Sequence, residues 1–574
     1  MNITVLSTWQ SLLKAARGDH PADLLIRNAR IVNVFTGQVE EESVAVHRGV
    51  IVGIGEYEAD RIVDLAGAFL APGLIEGHVH IESSKLTPAR FAQVVVPRGT
   101  TTVIADPHEI ANVFGIDGIR YMLRGSLGLP LDVFYMLPSC VPATTMETAG
   151  AKLSADDLRP LLSEPSVRGI GELMDFPGAL NGDPRVLSKS ALAGGKRPVD
   201  GHSPGLTGKQ LAAYLIAGPA TDHECNALAE AEEKLARGMR IMIREGSAAR
   251  NLDALIGLVT PANERRCLLV SDDRRPGDLM EQGHLDHLLR RATAAGLDPV
   301  TAIRMVTLNA AETFHLFDRG GIRPGWKADL VAFDDLKSFK VQAVWKDGIE
   351  VARDGRLMVP LTFDSEQRPS PLPVPPLPGD AFDIPDHSQP VRVIGIVPDK
   401  IITESLTMSF DGIAGRLDSH PEEDVLKLAV IERHTGQGRM ALGFVKGLGL
   451  REGAIASTVA HDSHNIIVAG ADDESMFVAV NRLVALGGGQ VVVRDGLPIA
   501  EMPLPIAGLM SNNAPELVAK SESALLNAAA SLGSPLADPL MALSFLALPV
   551  IPQLKLTDHG LVDVDRFELV SLYS

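Results

Sequence analysis

Between residues 23 and 70 the chain alternates apolar and polar positions in short runs broken by glycine, as in Ser43-Val44-Ala45-Val46-His47 and Val50-Ile51-Val52-Gly53-Ile54-Gly55. A two-residue period puts alternate side chains on opposite faces of a pleated ribbon, so these runs predict antiparallel strands. The same pattern returns over 328–356, in Ala328-Asp329-Leu330-Val331-Ala332-Phe333 and Val341-Gln342-Ala343-Val344-Trp345. Two strand-rich arms flanking a long segment can pair into one small β-sandwich-like domain, 1–70 with 318–365, carrying an N-terminal helix at 7–17. The middle of the chain would then be an insertion between its halves.

That middle, 71–317, alternates short apolar runs with helical patterns at the rhythm of eight βα units, the signature of a (β/α)₈ TIM-like barrel in an α/β protein. The expected strands are Leu74–Ile81, Thr100–Ala105, Leu131–Leu137, Val167–Gly171, Arg197–Asp200, Gly218–Thr221, Met239–Ile243 and Arg266–Val270. Polar, titratable residues recur where they stop: His78 and His80, Asp106-Pro107-His108-Glu109, Ser139-Cys140, Glu172, His202, Asp222-His223-Glu224, Arg244-Glu245-Gly246-Ser247 and Ser271-Asp272-Asp273. A barrel of this kind builds its active site from strand C-termini and the loops that follow, so the recurrence predicts a catalytic face.

After Gly355 the composition shifts to a proline-rich stretch at 369–378, an extended linker expected over 366–389. Residues 390–574 return to strand-like runs (Val391–Val397, Ala429–Arg433, Asn465–Gly470, Gln490–Arg494) and a helical one, Asp472–Leu486, as expected of a C-terminal α/β domain.

Composition narrows the function. The 574 residues carry 53 Lys+Arg against 72 Asp+Glu, a net charge of -19 that repels a phosphate backbone, so a nucleic acid polymer is not expected as partner. Three cysteines, Cys140, Cys225 and Cys267, form no Cys-x-x-Cys pair and suggest a reducing compartment. Neither a signal-peptide pattern nor an apolar run of about 18 residues is present, so a cytoplasmic protein without membrane attachment is expected.

His78 and His80, two apart on a strand, face one side and can ligate one ion, although among 16 histidines such a spacing arises readily by chance. His202 and His223 could each be an interior histidine satisfied by a carbonyl. Glu172 sits where a carboxylate bridging two ions could come from, or is a solvated cap. One of Asp272 and Asp273 can face a metal while the other meets substrate. Asp106-Pro107-His108-Glu109 reads equally as a helix N-cap or as a catalytic cluster. Arg244 to Ser247 is either a substrate contact or an internal ion pair. His461, Asp462 and His464 in the C-terminal region are a second metal or substrate contact, or a polar turn.

Together these positions resemble the amidohydrolase superfamily, and at finer grain its adenine deaminase family over nearly the whole length. The strings that carry the resemblance include Gly77-His78-Val79-His80-Ile81-Glu82-Ser83-Ser84, Asp106-Pro107-His108-Glu109-Ile110, Ser139-Cys140-Val141-Pro142-Ala143, Ile243-Arg244-Glu245-Gly246-Ser247, Ser271-Asp272-Asp273-Arg274, His461-Asp462-Ser463-His464-Asn465 and Leu504-Pro505-Ile506-Ala507-Gly508. The resemblance implies purine salvage by hydrolysis of adenine to hypoxanthine and ammonia, with two divalent ions, Mn2+ or Fe2+ with Zn2+ as an alternative. It implies His78, His80, Glu172, His202, His223 and Asp272 as metal ligands, with Asp272, His223 and Glu109 in catalysis. Glu109 or Glu245 would protonate a ring nitrogen. Asp273, Ser247, Glu245 and Ser84 would contact substrate, with His108, His461, Asp462 and His464 auxiliary. A homodimer or higher homo-oligomer is expected. The alternatives are an amidohydrolase of another amino-heterocycle or cyclic amide, and a non-catalytic metal- or purine-binding protein.

Overall fold

A computed structural model describes residues 3–363, 372–398, 400–410 and 412–574; part of the proline-rich connector therefore lies outside the described residues. Strands Leu74–Val79, Thr100–Ala105, Asp132–Leu137, Val167–Leu173 and Val199–Gly201 form one parallel run, and Thr221–Asp222, Arg240–Arg244 and Cys267–Val270 a second. Two hydrogen bonds join the runs into a closed barrel, Ala220 N–H to the Val199 carbonyl (2.9 Å) and Asp272 N–H to the His78 carbonyl (3.0 Å). The expected strand positions hold to within about three residues at their ends, where hydrogen bonding fades; the largest difference is at the start of the sixth strand, expected at Gly218 and observed at Thr221. The sixth strand is shortest, and its residues Thr221 and Asp222 serve side-chain hydrogen bonds as well as the sheet.

Strands Ala22–Asn33, Gln38–His47, Val50–Ile54, Ala59–Asp64 and Phe69–Pro72 precede the barrel, whereas Leu330–Phe333, Val341–Lys346, Ile349–Arg353 and Arg356–Leu357 follow it. All nine join one sheet, because Leu330–Phe333 pairs antiparallel with Phe69–Pro72. Leu24, Ile26, Val44, Leu70, Leu330 and Trp345 fill its core. The helix before this sheet runs Ile3–Ala16.

In the C-terminal part an eight-stranded sheet runs in the order Thr403–Met408, Val391–Ile396, Met440–Lys446, Val425–Ile431, Ile466–Gly470, Ala454–Ser457, Gly489–Arg494, Leu497–Pro503. Both faces of its central strands are covered. Ala429, Ile431 and Val468 pack under the helix Asp473–Leu486, while Leu428, Val430 and Ile467 join the main core shared with the barrel, which is why these strands read as unbroken apolar runs. Asp472 caps that helix by accepting from Ser475 N–H at 2.7 Å. The sheet and its neighbours are fastened over the barrel mouth: Lys85 pairs with Glu522 (2.9 Å), Arg275 with Asp538 (3.2 Å), and Asn465 donates to the Thr148 carbonyl (2.8 Å). Among the described residues no helix is long and apolar enough to cross a membrane.

Candidate metal centre and active site

The first barrel strand and the turn after it deliver His78 and His80 with their Nδ1 atoms already engaged, His78 to Asp200 Oδ2 (2.7 Å) and His80 to the Asp106 carbonyl (3.0 Å). Engagement at Nδ1 fixes the tautomer, so each neutral ring turns a lone pair at Nε2 toward the centre. The two Nε2 atoms lie 3.2 Å apart, with Glu172 Oε1 2.9 Å from His80 and Asp272 Oδ1 3.3 Å from it. Four lone-pair donors converging without a hydrogen to share are what a cation holds together.

Glu172 divides its carboxylate. Oε1 faces His78 and His80, while Oε2 lies 2.6 Å from His202 Nδ1 and 3.3 Å from His223 Nε2. A carboxylate with one oxygen in each of two ligand clusters is the geometry of a bridge between two ions. Its placement depends on Gly171 before it. A Cβ there would lie 1.9 Å from Asp106 Oδ2, the atom that accepts the Glu172 N–H at 3.0 Å and fixes the strand end. Buried His202 Nε2 and His223 Nδ1 have no hydrogen-bond partner.

The electrostatics agree with the donor set. Burial alone would depress the histidines, yet Asp200, Asp272 and Glu172 raise His78 to about 9. His108 is raised to about 10 against burial by Asp462 and Asp106. Asp272 is held well below the carboxylate range despite burial, chiefly by Arg244, His80 and His78. A site that draws protons onto its histidines has the field for metal cations, which would displace those protons. Asp272 adopts φ 57°, a left-handed conformation uncommon away from glycine, with its N–H bound to His78; strained backbone of this kind persists where surrounding structure dictates it. Arg244 hydrogen-bonds both Asp272 Oδ2 and Glu224, leaving Asp272 Oδ1 for the centre.

The pocket over this centre is lined by His108, Glu109, Asp273, His461 and Asp462, and walled by Met174, Ala249, Ile401, Phe545, Leu548 and Ile551. Glu109 lies 3.0 Å from His461 Nδ1 and 2.9 Å from His464 Nε2, which hold it ionised, well below its ordinary value, although it is fully buried. Asp273 accepts from Ser83 Oγ at 2.5 Å, and burial together with Asp272 raises its carboxyl. The C-terminal segment His461–His464 therefore meets the barrel directly.

Three expected contacts are not brought to the pocket. Glu245 follows inward-facing Arg244 and, by strand alternation, turns to the other side, toward Arg291 (3.8 Å), so it is not placed to protonate a bound ring. Ser247 donates to Asp278 (2.5 Å) beside a separate cavity, and Ser84 donates to the Ile81 carbonyl (2.6 Å) inside its own turn. Conversely, sequence reading gave no role to Asp200 or to Glu224, which it placed at a strand end, and missed the apolar wall. Asp200 could have been found, on the strand Val199–Gly201 that His202 directly follows. Phe545, stacked on His461 with ring centroids 4.5 Å apart, gives no local signal.

Residues 69–351 match the amidohydrolase family and residues 400–568 the adenine deaminase C-terminal domain. An adenine deaminase of Desulfatibacillum aliphaticivorans is 49% identical over 573 residues, covering 98% of this chain and 99% of that one. An adenine deaminase 2 of Carboxydothermus hydrogenoformans is 47% identical over 563 residues, covering 98% and 99%. Among solved structures, an adenosine deaminase from Xanthomonas campestris aligns over 60% of this chain and 95% of its own with a TM-score of 0.44 at 18% identity. By its identity to these relatives along nearly its full length, the chain belongs to the adenine deaminase family.

Proposed function

We propose that the protein hydrolyses adenine to hypoxanthine and ammonia with two divalent cations, Mn2+ or Fe2+ with Zn2+ as the alternative. The observation that carries this reading is the divided carboxylate of Glu172, with His78, His80 and Asp272 on one side and His202 and His223 on the other. When bound, such cations lower the pKa of water and oppose developing negative charge. Asp272 is oriented by Arg244 so that Oδ1 takes the proton of the attacking water and passes it to the departing amine. His223, stacked on His78 at 4.0 Å, holds its Nε2 beside the same space. Glu109 is an ionised partner of His461, whose value is raised well above the ordinary by Glu109 and Asp462 against burial, so proton delivery to a ring nitrogen runs through His461. Phe545, Leu548, Ile551 and Met174 supply the apolar walls that a flat, uncharged base needs to leave water.

The test is turnover of metal-reconstituted protein, followed as loss of adenine absorbance and release of ammonia, with total metal measured on the same sample. Guanine, cytosine and dihydropyrimidine rings are assayed in parallel. Metal-replete protein that leaves adenine untouched, or that prefers another ring, overturns the proposal.

A further inference from the structure

Cys140 follows the third barrel strand and is buried, 1% exposed, behind the wall of the pocket. None of the steps above uses it. Its Sγ, a ring nitrogen of His108 and a carboxylate oxygen of Asp462 all lie within 4.8 Å of one another. His108 presents its two nitrogens to different sides: Nδ1 lies 3.6 Å from Asp106 and 3.7 Å from Glu172, whereas Nε2 lies 3.7 Å from Asp462 Oδ2. Asp462 is 1% exposed, and its Oδ2 has no hydrogen-bond partner. A buried, unpartnered carboxylate oxygen costs free energy unless something positive meets it. The three donors come from beyond the second and third strand ends of the barrel and from the turn between Ala454–Ser457 and Ile466–Gly470, so only the assembled molecule brings them together.

We propose that Cys140, His108 and Asp462 form a further cation site, selective for thiophilic divalent ions, whose occupation blocks the adjoining pocket. A thiolate, an imidazole and a carboxylate are the donor types of zinc and its heavier congeners, not of manganese or magnesium, which prefer oxygen. As the ion binds, the thiol of Cys140 and the imidazolium of His108 each release a proton to solvent, and the thiolate, the neutral imidazole and the Asp462 carboxylate donate lone pairs. Before that, burial and the carboxylates of Asp462, Asp106 and Glu172 keep the thiol protonated, so the sulfur does not act as a free nucleophile. Because His108 and Asp462 also line the substrate pocket, an ion between them occupies the space of a bound base. Excess soft metal would therefore inhibit by a route that does not displace the catalytic ions.

Protein loaded with manganese and freed of excess metal is titrated with Cd2+ while the ultraviolet sulfur-to-metal charge-transfer band, retained manganese and turnover are recorded. The expected result is a band growing to one equivalent, manganese retained, and turnover falling at least tenfold in step with the band. In Cys140→Ser the band is absent and turnover at the same Cd2+ is preserved; in Asp462→Asn the band requires at least tenfold more Cd2+. No band in the wild type, or a band of equal size in Cys140→Ser, which would place it on Cys225 or Cys267, overturns the site. A full band with undiminished turnover overturns the blocking. The band is read without adenine, so a failure of the deaminase assignment leaves this test intact.

Discussion

The same barrel carries a buried ionic cluster at each end, and the two are built on opposite principles. At the N-terminal end of the third strand, Asp132 meets Arg319 and Lys346 (2.9 Å), and Lys346 also spans both oxygens of Asp329 at 3.0 Å. Arg319 adds Thr102 (3.0 Å) and Asp318 (2.9 Å). Cations and carboxylates there satisfy one another, locking the barrel floor to the nine-stranded sheet. At the C-terminal end, Glu172 and Asp272 face the Nε2 atoms of His78 and His80, whose ring hydrogens are committed at Nδ1 to Asp200 and the Asp106 carbonyl. Arg319, Asp329 and Lys346 are as buried as the groups at the mouth, although Asp132 and Asp318 reach solvent; what differs is whether the donors point at partners or converge on a common point. A cluster that neutralises itself is structural, and one completed only by a cation is chemical.

Removing one group from each end separates these roles. Asp272→Asn should lower kcat by about 10³-fold while most metal remains bound, because the amide keeps an oxygen donor but no longer accepts a proton; near-normal turnover would sink its assignment as the base. At the other end, Lys346→Met should destabilise the fold by about 3 kcal/mol, seen in urea unfolding, with turnover per folded molecule unchanged. A loss of activity without a loss of stability there would erase the distinction between the ends. Asp200→Asn, which weakens the acceptor behind His78, should reduce metal affinity by about 10-fold to 100-fold in chelator competition.

The smallest effect concerns the seam between barrel and C-terminal sheet. Burial raises Glu147 to about 8, although Ser463 donates to it at 2.5 Å. An acid whose folded value lies above its unfolded one keeps its proton longer when folded. Its contribution is greatest below the unfolded pKa of about 4.5 and is lost as pH rises to about 8. Unfolding curves at pH 6 and 9 should show this decline, and Glu147→Gln should flatten it.

Much of this was legible without coordinates. Period-two runs on both sides of the insertion announced strands that do pair, because a half-buried ribbon must alternate. His78, His80, Glu172, His202, His223 and Asp272 could be proposed because a parallel barrel delivers every strand end to one face. Of the contacts not brought to the pocket, Ser247 and Ser84 lie in a loop and a turn beyond those ends, where no periodicity fixes direction, whereas Glu245 follows the alternation of its strand away from the centre. The apolar wall was invisible for another reason: Phe545 and Ile551 stand more than 270 residues after Asp272, and nothing local distinguishes them from core.

By itself, then, the sequence determined the elements, the barrel and the residue types at its mouth, since these follow from local periodicity and from the polarity of strand ends. Only the tertiary structure decided that the two oxygens of Glu172 part toward different histidines, that Arg244 holds Asp272 rather than substrate, and that His461 descends onto Glu109. Those outcomes depend on distances between segments remote in the chain, which packing sets and no local pattern encodes.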